Sequence, residues 1–168
     1  DLLTMEAHVG LAGRRLAWVG DFSNVARSLA LGCALADVTV AVASPDGYGP
    51  SPDDVARVEA LGGSIDVTDD PAVAVAGAHV VTTDAWYSMG QEAEAALRRP
   101  IFTPYRVDGA LIDRADDDAV FLHCLPAHRG EEVTDDVLDG PRSVVWEQAG
   151  NRLHAARAAL AWLLGVRP

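Results

Sequence analysis

The residues best suited to chemistry stand where apolar runs stop. In Phe121-Leu-His-Cys-Leu-Pro-Ala-His-Arg-Gly-Glu-Glu132 such a run ends at an imidazole, a thiol and a proline, and in Val80-Val-Thr-Thr-Asp-Ala-Trp-Tyr-Ser-Met-Gly-Gln-Glu92 another ends at the carboxylate of Asp84. A carboxylate there can meet an ammonium group, and a neighbouring thiol can help tune the proton of an amine. Ser88 and Met89 precede Gly90, where a tight turn would present backbone amide and carbonyl groups along with the Ser hydroxyl. Asn24, just after Gly20-Asp-Phe-Ser23, offers an amide that donates and accepts at once, which suits the head group of an amino acid. Arg152 follows Asn151 at the expected start of the last helix, where its guanidinium and the helix dipole both favour anionic or carbonyl oxygens.

Each residue also has a plainer role. Cys124 fits as a small buried hydrophobe, His123 as a satisfied core group, Asn24 and Asp84 as caps, Met89 as core filler and Arg152 as a surface charge. What favours chemistry is convergence. The strand ends expected at Asp84 and Cys124 and the helix start expected at Arg152 would meet at one rim if the strands share a sheet, because the ligand crevice of an open α/β sheet lies beyond the carboxyl ends of its strands. On that reading both His123 and Cys124 face a ligand. The order His123, Cys124, His128 lacks a fourth ligand and closed metal-site spacing, so no metal is expected.

The elements that would carry these residues alternate. Strands are expected at Arg15–Gly20, Val38–Ala43, Ser64–Val67, His79–Thr83 and Ala119–His123, with Ser143–Trp146 as an edge strand. Helices are expected at Asn24–Ala36 with Ser23 as N-cap, Ser51–Leu61 with Pro52 in its first turn, Pro71–Ala76, Gln91–Leu97, Asp108–Ala115 and Gly150–Leu164. Asp1–Ala7 has the pattern of the tail of an amphipathic helix, and the chain is expected to be a piece of a longer protein. Alternation with short connections implies right-handed crossovers and an α/β, doubly wound, mainly parallel sheet with helices on both faces, Rossmann-like, in a single domain spanning residues 1–168.

Composition narrows the function. A formal charge of −12 opposes nucleic-acid or anionic-membrane binding. The 13 basic residues are all arginines, which excludes lysine Schiff-base chemistry and a P-loop lysine. Two cysteines give no disulfide framework, and no apolar stretch approaches the ~20 residues that span a bilayer. A soluble, cytoplasmic protein is expected. The turn Gly20–Asn24 lacks the three-glycine spacing of a dinucleotide site, which counts against an oxidoreductase.

Taken together, Gly20-Asp21 with Asn24, the Asp84–Glu92 segment, Phe121-Leu-His-Cys-Leu-Pro126 and Asn151-Arg152 closely resemble the C-terminal, ornithine-binding half of ornithine carbamoyltransferases, over nearly the whole chain. Ser88-Met89-Gly90 and His-Cys-Leu-Pro distinguish the ornithine enzymes from aspartate carbamoyltransferases, which carry His-Pro-Leu-Pro. The resemblance implies carbamoyl transfer from carbamoyl phosphate to the δ-amine of ornithine, giving citrulline and phosphate without metal or organic cofactor. It implies that Asn24, Asp84, Ser88 and Met89 hold ornithine, that Cys124 lies beside the reacting amine, that the Leu125 carbonyl meets the carbamoyl amide, and that Arg152 polarises the carbamoyl oxygen. It also implies a cis Leu125-Pro126 bond, an N-terminal carbamoyl-phosphate domain outside this chain, inactivity of the chain alone, and assembly of the whole as a homotrimer or a multiple of one.

Two positions depart from the family pattern. Gly-Asn usually stands at Phe22-Ser23, a change expected to reshape the rim of the ornithine pocket, and Glu usually stands at Gly150, whose loss removes a carboxylate able to orient Arg152. These departures leave a non-catalytic carbamoyltransferase-like module, binding an amino acid or a protein partner, as the rival reading.

Overall fold

The computed structural model describes residues 1–87 and 92–166. Five parallel strands form one sheet in the order β3-β2-β1-β4-β5. They are β1 Arg14–Val19, β2 Val38–Ala43, β3 Ile65–Thr68, β4 Val80–Thr83 and β5 Val120–His123. Eight helices accompany them among the described residues: α1 Leu2–His8, α2 Asn24–Leu35, α3 Pro52–Ala60, α4 Pro71–Val75, α5 Ala95–Phe102, α6 Gly109–Ile112, α7 Asp135–Leu138 and α8 Val145–Leu163.

The apolar runs become strands because both faces of the sheet are covered. Successive side chains point to opposite faces, and the core divides accordingly. Ala17, Val19, Ala41, Val81 and Phe121 join one cluster with residues of α4, α6 and α7. Leu16, Trp18, Val40, Val42 and Leu122 join the other with Met5 of α1, Leu29 and Cys33 of α2 and Val58 of α3. Phe121 and Leu122 are both fully buried, each stabilising the fold by about 1.5–3 kcal/mol relative to exposure.

The helix starts carry the expected chemistry. The Ser23 hydroxyl accepts from the Val25 N–H (3.2 Å), and Ser51 with Asp54 forms a reciprocal capping box with Pro52 in the first turn of α3. The sheet reverses its winding between β1 and β4, where Leu16, Ala17 and Trp18 lie opposite Val80, Val81 and Thr82. Such a reversal opens a crevice at the carboxyl ends of the two strands.

Two expectations need correction. Ser143–Trp146 is not an edge strand: only Ser143 pairs with Phe121, as an isolated bridge, and α8 already begins at Val145. The side chain of Gln148 accepts from the His123 N–H (2.9 Å), so a helix, not a further strand, completes this part of the β5 edge. Of the segment expected to be helical over 91–97, residue 91 lies outside the described residues and the rest is a 3₁₀ turn at Glu92–Glu94 followed by α5, which continues through Pro100 to Phe102.

Candidate active site

The turn after β5 is held by a nearly dry polar network. His123 ends the strand and is 1% exposed. Its Nδ1 accepts from the Leu125 N–H (2.9 Å), which assigns the ring proton to Nε2, and Nε2 meets Glu132 Oε1 at 3.2 Å. Glu132 is fully buried and also accepts from the His128 N–H (2.5 Å). Leu125 takes a left-handed backbone, φ 55°, and its bond to Pro126 is cis, as expected. For a branched side chain that φ is strained and persists only where surroundings enforce it. His123 therefore does not face a ligand: it is the buried post on which the turn is hung, and both its ring nitrogens are occupied by protein.

Cys124 is the residue this turn delivers. Its thiol donates to Asp84 Oδ1 (3.0 Å), across from the end of β4. The same carboxylate accepts from the Ala85 N–H (2.8 Å) and, through Oδ2, from the Ser23 hydroxyl (3.3 Å). Burial, and then the adjacent Asp84 carboxylate, push the Cys124 thiol up to about 12, against a smaller opposing pull from Arg152. At neutral pH the sulfur is thus protonated and is no covalent nucleophile. It can donate a hydrogen bond and keep a carboxylate in place.

The crevice beside this pair has a volume of about 430 Å³ and is lined by Val25, Cys124, Leu125, Gln148 and Arg152, among others. An adjoining groove of about 480 Å³ shares Val25 and Arg152 and adds Asn24 and Asn151. Structure thus brings Asn24, Asp84, Cys124, Leu125 and Arg152 to one end of the sheet. Ser88 and Met89 lie outside the described residues. One physical argument for Arg152 fails: α8 starts at Val145, so Arg152 sits well inside the helix, beyond the first-turn reach of the dipole. Its guanidinium, without help from the dipole, supplies positive charge to the crevice. Neighbouring Asn151 turns away to Thr4 of α1 (2.9 Å).

A family model described as aspartate/ornithine carbamoyltransferase, Asp/Orn binding domain, matches residues 12–163. The chain belongs to this family. It is 54% identical over 168 residues to the ornithine carbamoyltransferase of Thermosynechococcus vestitus, covering 98% of this chain and 54% of that protein. With the enzyme of Gloeobacter violaceus it shares 50% identity over 172 residues, covering 99% and 55%. Among solved structures, the ornithine carbamoyltransferase from Pyrococcus furiosus superposes with a TM-score of 0.88 at 48% identity, covering 95% of this chain and 52% of that one. The anabolic enzyme from Campylobacter jejuni gives 0.89 at 31% identity, covering 99% and 57%. The chain spans about half the length of the curated relatives it matches.

The two departures from the carbamoyltransferase pattern have different structural weight. Phe22 is 5% exposed and belongs to the core cluster under α2, so of this pair it is Ser23 that reaches the site. Ser23 caps α2 and bonds Asp84. A side chain added at Gly150 would meet nothing within 4 Å, so the missing carboxylate is not excluded by packing.

Several supporting residues gave no readable signal. Glu132 is fully buried although charged residues almost never are; Gln148 and Ser23 resemble ordinary surface and capping residues. Arg98, 11% exposed at its side chain, ties Asp21 (2.7 Å) to the Trp86 carbonyl (2.9 Å) and lies 5.1 Å from the Tyr48 ring centroid. Only its neighbours in space show that it braces Trp86, just after β4, against Asp21. No group of three or more His, Cys, Asp or Glu able to hold a metal occurs among the described residues.

Proposed function

We propose that this chain is the ornithine-binding half of an ornithine carbamoyltransferase, a single domain over residues 1–168. The whole enzyme would move the carbamoyl group of carbamoyl phosphate to the δ-amine of L-ornithine, giving L-citrulline and phosphate. The observation that carries this reading is the contact between Cys124 and Asp84 at the mouth of the crevice, in a member of the carbamoyltransferase family.

Asn24 and Asp84, with Ser88 and Met89, bind the amino-acid end of ornithine. Asp84 is suited to an ammonium group because its lone pairs are already oriented by Ser23, Ala85 and Cys124. The δ-amine must arrive unprotonated to attack, and the protonated Cys124 thiol beside it accepts no competing covalent bond. As the amine nitrogen bonds to the carbamoyl carbon, charge grows on the carbamoyl oxygen and Arg152 stabilises it; the carbon–oxygen bond to phosphate then breaks, and the surplus amine proton leaves with phosphate or solvent. The Leu125 carbonyl, fixed by the left-handed turn, accepts from the carbamoyl amide. No metal or organic cofactor is required by this sequence of steps.

The remaining part of the reading concerns the whole protein. An N-terminal domain binds carbamoyl phosphate, and the chain alone forms no citrulline. Support comes from the half-length match and from α8, whose Leu153, Leu160, Trp162 and Leu163 are exposed, an apolar surface of the kind that marks an interface. The full-length protein works as a homotrimer or a multiple of one in the cytoplasm; no described helix is long and apolar enough to cross a membrane.

Calorimetry on the full-length protein with carbamoyl phosphate present, titrating ornithine, N-acetylornithine, putrescine and aspartate, tests the assignment, alongside a citrulline assay. Ornithine should bind best. A preference for putrescine overturns the roles given to Asp84, Ser88 and Met89, and citrulline formation by the 168-residue chain alone overturns the division of labour.

A further inference from the structure

The turns that carry Asp84 and Cys124 meet a second time, a few residues further along each turn. The ring of Tyr87 stacks on that of His128, with centroids 5.0 Å apart and planes inclined by 29°. Arg99 of α5 closes over the pair: its guanidinium lies 5.9 Å from the Tyr87 ring centroid and donates to Glu131 Oε1 from Nη2 (2.8 Å) and Nε (3.2 Å). The Tyr87 hydroxyl donates to the same carboxylate oxygen (3.4 Å). Arg99 holds the Glu131 carboxyl below the usual carboxylate range. His128 is itself anchored to the buried network, since its N–H donates to Glu132 and its Nδ1 faces Glu132 Oε2 at 3.6 Å.

We propose that Tyr87, His128, Arg99 and Glu131 form a clasp that fixes the spacing of the Asp84 and Cys124 turns and so sets affinity for the amino-acid substrate. Their hydrogen bonds involving side chains, among the described residues, go to one another and to Glu132 and Thr103, not to Asp84 or Cys124; they are positioning residues. The Cys124–Asp84 hydrogen bond joins two turns that rise from adjacent strands, the first also tied to Ser23 and the second to the His123–Glu132 network. The stacked rings supply a second direct attachment between the two turns. Arg99 and Glu131 are too exposed for their ion pair to matter much alone, but they hold Tyr87 against His128.

This inference rests on the ornithine reading for its substrate, but one arm of its test does not. Both thiols are held protonated in the closed structure, so alkylation by iodoacetamide is slow and reads how often the Cys124 turn opens to release a thiolate; Cys33 is fully buried and should react later still, and peptide mass mapping identifies the modified thiol. In the intact protein at pH 8, His128→Ala should raise the Cys124 alkylation rate about threefold to tenfold, the range expected for loss of an aromatic pair. The apparent KM for ornithine should rise by a similar factor with kcat changed less than twofold. His128→Phe keeps a ring on Tyr87 and should restore both values. Arg99→Gln, at an exposed position that does not endanger folding, should give an intermediate effect. The clasp is overturned if His128→Ala and Arg99→Gln leave alkylation unchanged, or if His128→Phe is as impaired as His128→Ala. If alkylation follows this pattern while the wild-type protein makes no citrulline, the clasp stands and the ornithine reading falls.

Discussion

At the end of β5 buried polar atoms are drawn together: His123 is bonded through its backbone and both ring nitrogens, and Glu132 accepts from two directions without exposure. Along α8, the other wall of the same crevice, only Val145 and Gln148 are buried, while Arg152 is exposed and Trp162 stands 79% in solvent. The first region is finished within this chain. The second is anchored to α1 through Glu147, Gln148 and Asn151 and then continues as a helix with apolar residues turned to water. A pre-organised turn that presents Cys124 and Leu125 thus faces an Arg152 whose surroundings are open. Preorganisation costs stability if disturbed; an open charge costs function alone.

That contrast can be broken most severely at Glu132. Glu132→Ala strands the His123 Nε2–H and the His128 N–H in a dry site and should lower unfolding free energy by about 2–6 kcal/mol, about 1–3 for each buried donor left unsatisfied, measured by urea titration. Arg152→Ala is the mirror experiment. It should leave the urea midpoint almost unmoved, within about 0.5 kcal/mol, yet cost about 2.7–4 kcal/mol of barrier in the full-length enzyme's citrulline assay. Equal stability losses in the two variants would erase the distinction.

A pH series sharpens the comparison further. The Cys124 and Cys33 thiols are each raised from an ordinary value of 9.0 to about 12, mainly by burial. The folded state therefore holds these protons more tightly than the unfolded state, so their contribution is fully present below about pH 9 and is lost as pH climbs towards about 12. Urea midpoints should fall across that window, and less steeply in Cys33→Ala. The smallest effect is on α8: Gly150 lies inside the helix with open space around it, and Gly150→Ala should stabilise by about 1 kcal/mol in thermal unfolding.

The sheet was legible in the sequence because its strands are covered on both faces and so read as short apolar runs between turn signals. The same rule misled at Val144-Val145-Trp146, a β-branched and aromatic run that folds into the start of α8 because Gln148 satisfies the His123 N–H there and only one bridge to Phe121 forms. The positions of Asp84 and Cys124 at strand ends were legible because they follow apolar runs directly, and that of Asn24 because Ser23 marks a helix start. Glu132, Arg98 and the Tyr87–His128 stack were not, since each acquires its role from partners distant in the chain. His123 was half legible: its position at the strand end was right, but the direction of its ring depended on Glu132.

The left-handed backbone at Leu125 sets two kinds of selection against each other. A branched residue in that region carries about 1–2 kcal/mol of penalty, so a screen that rewarded heat resistance alone would favour glycine at 125. The carbonyl presented by that residue would then gain rotational latitude, and winners of such a screen should be recruited from the poorest catalysts in the library.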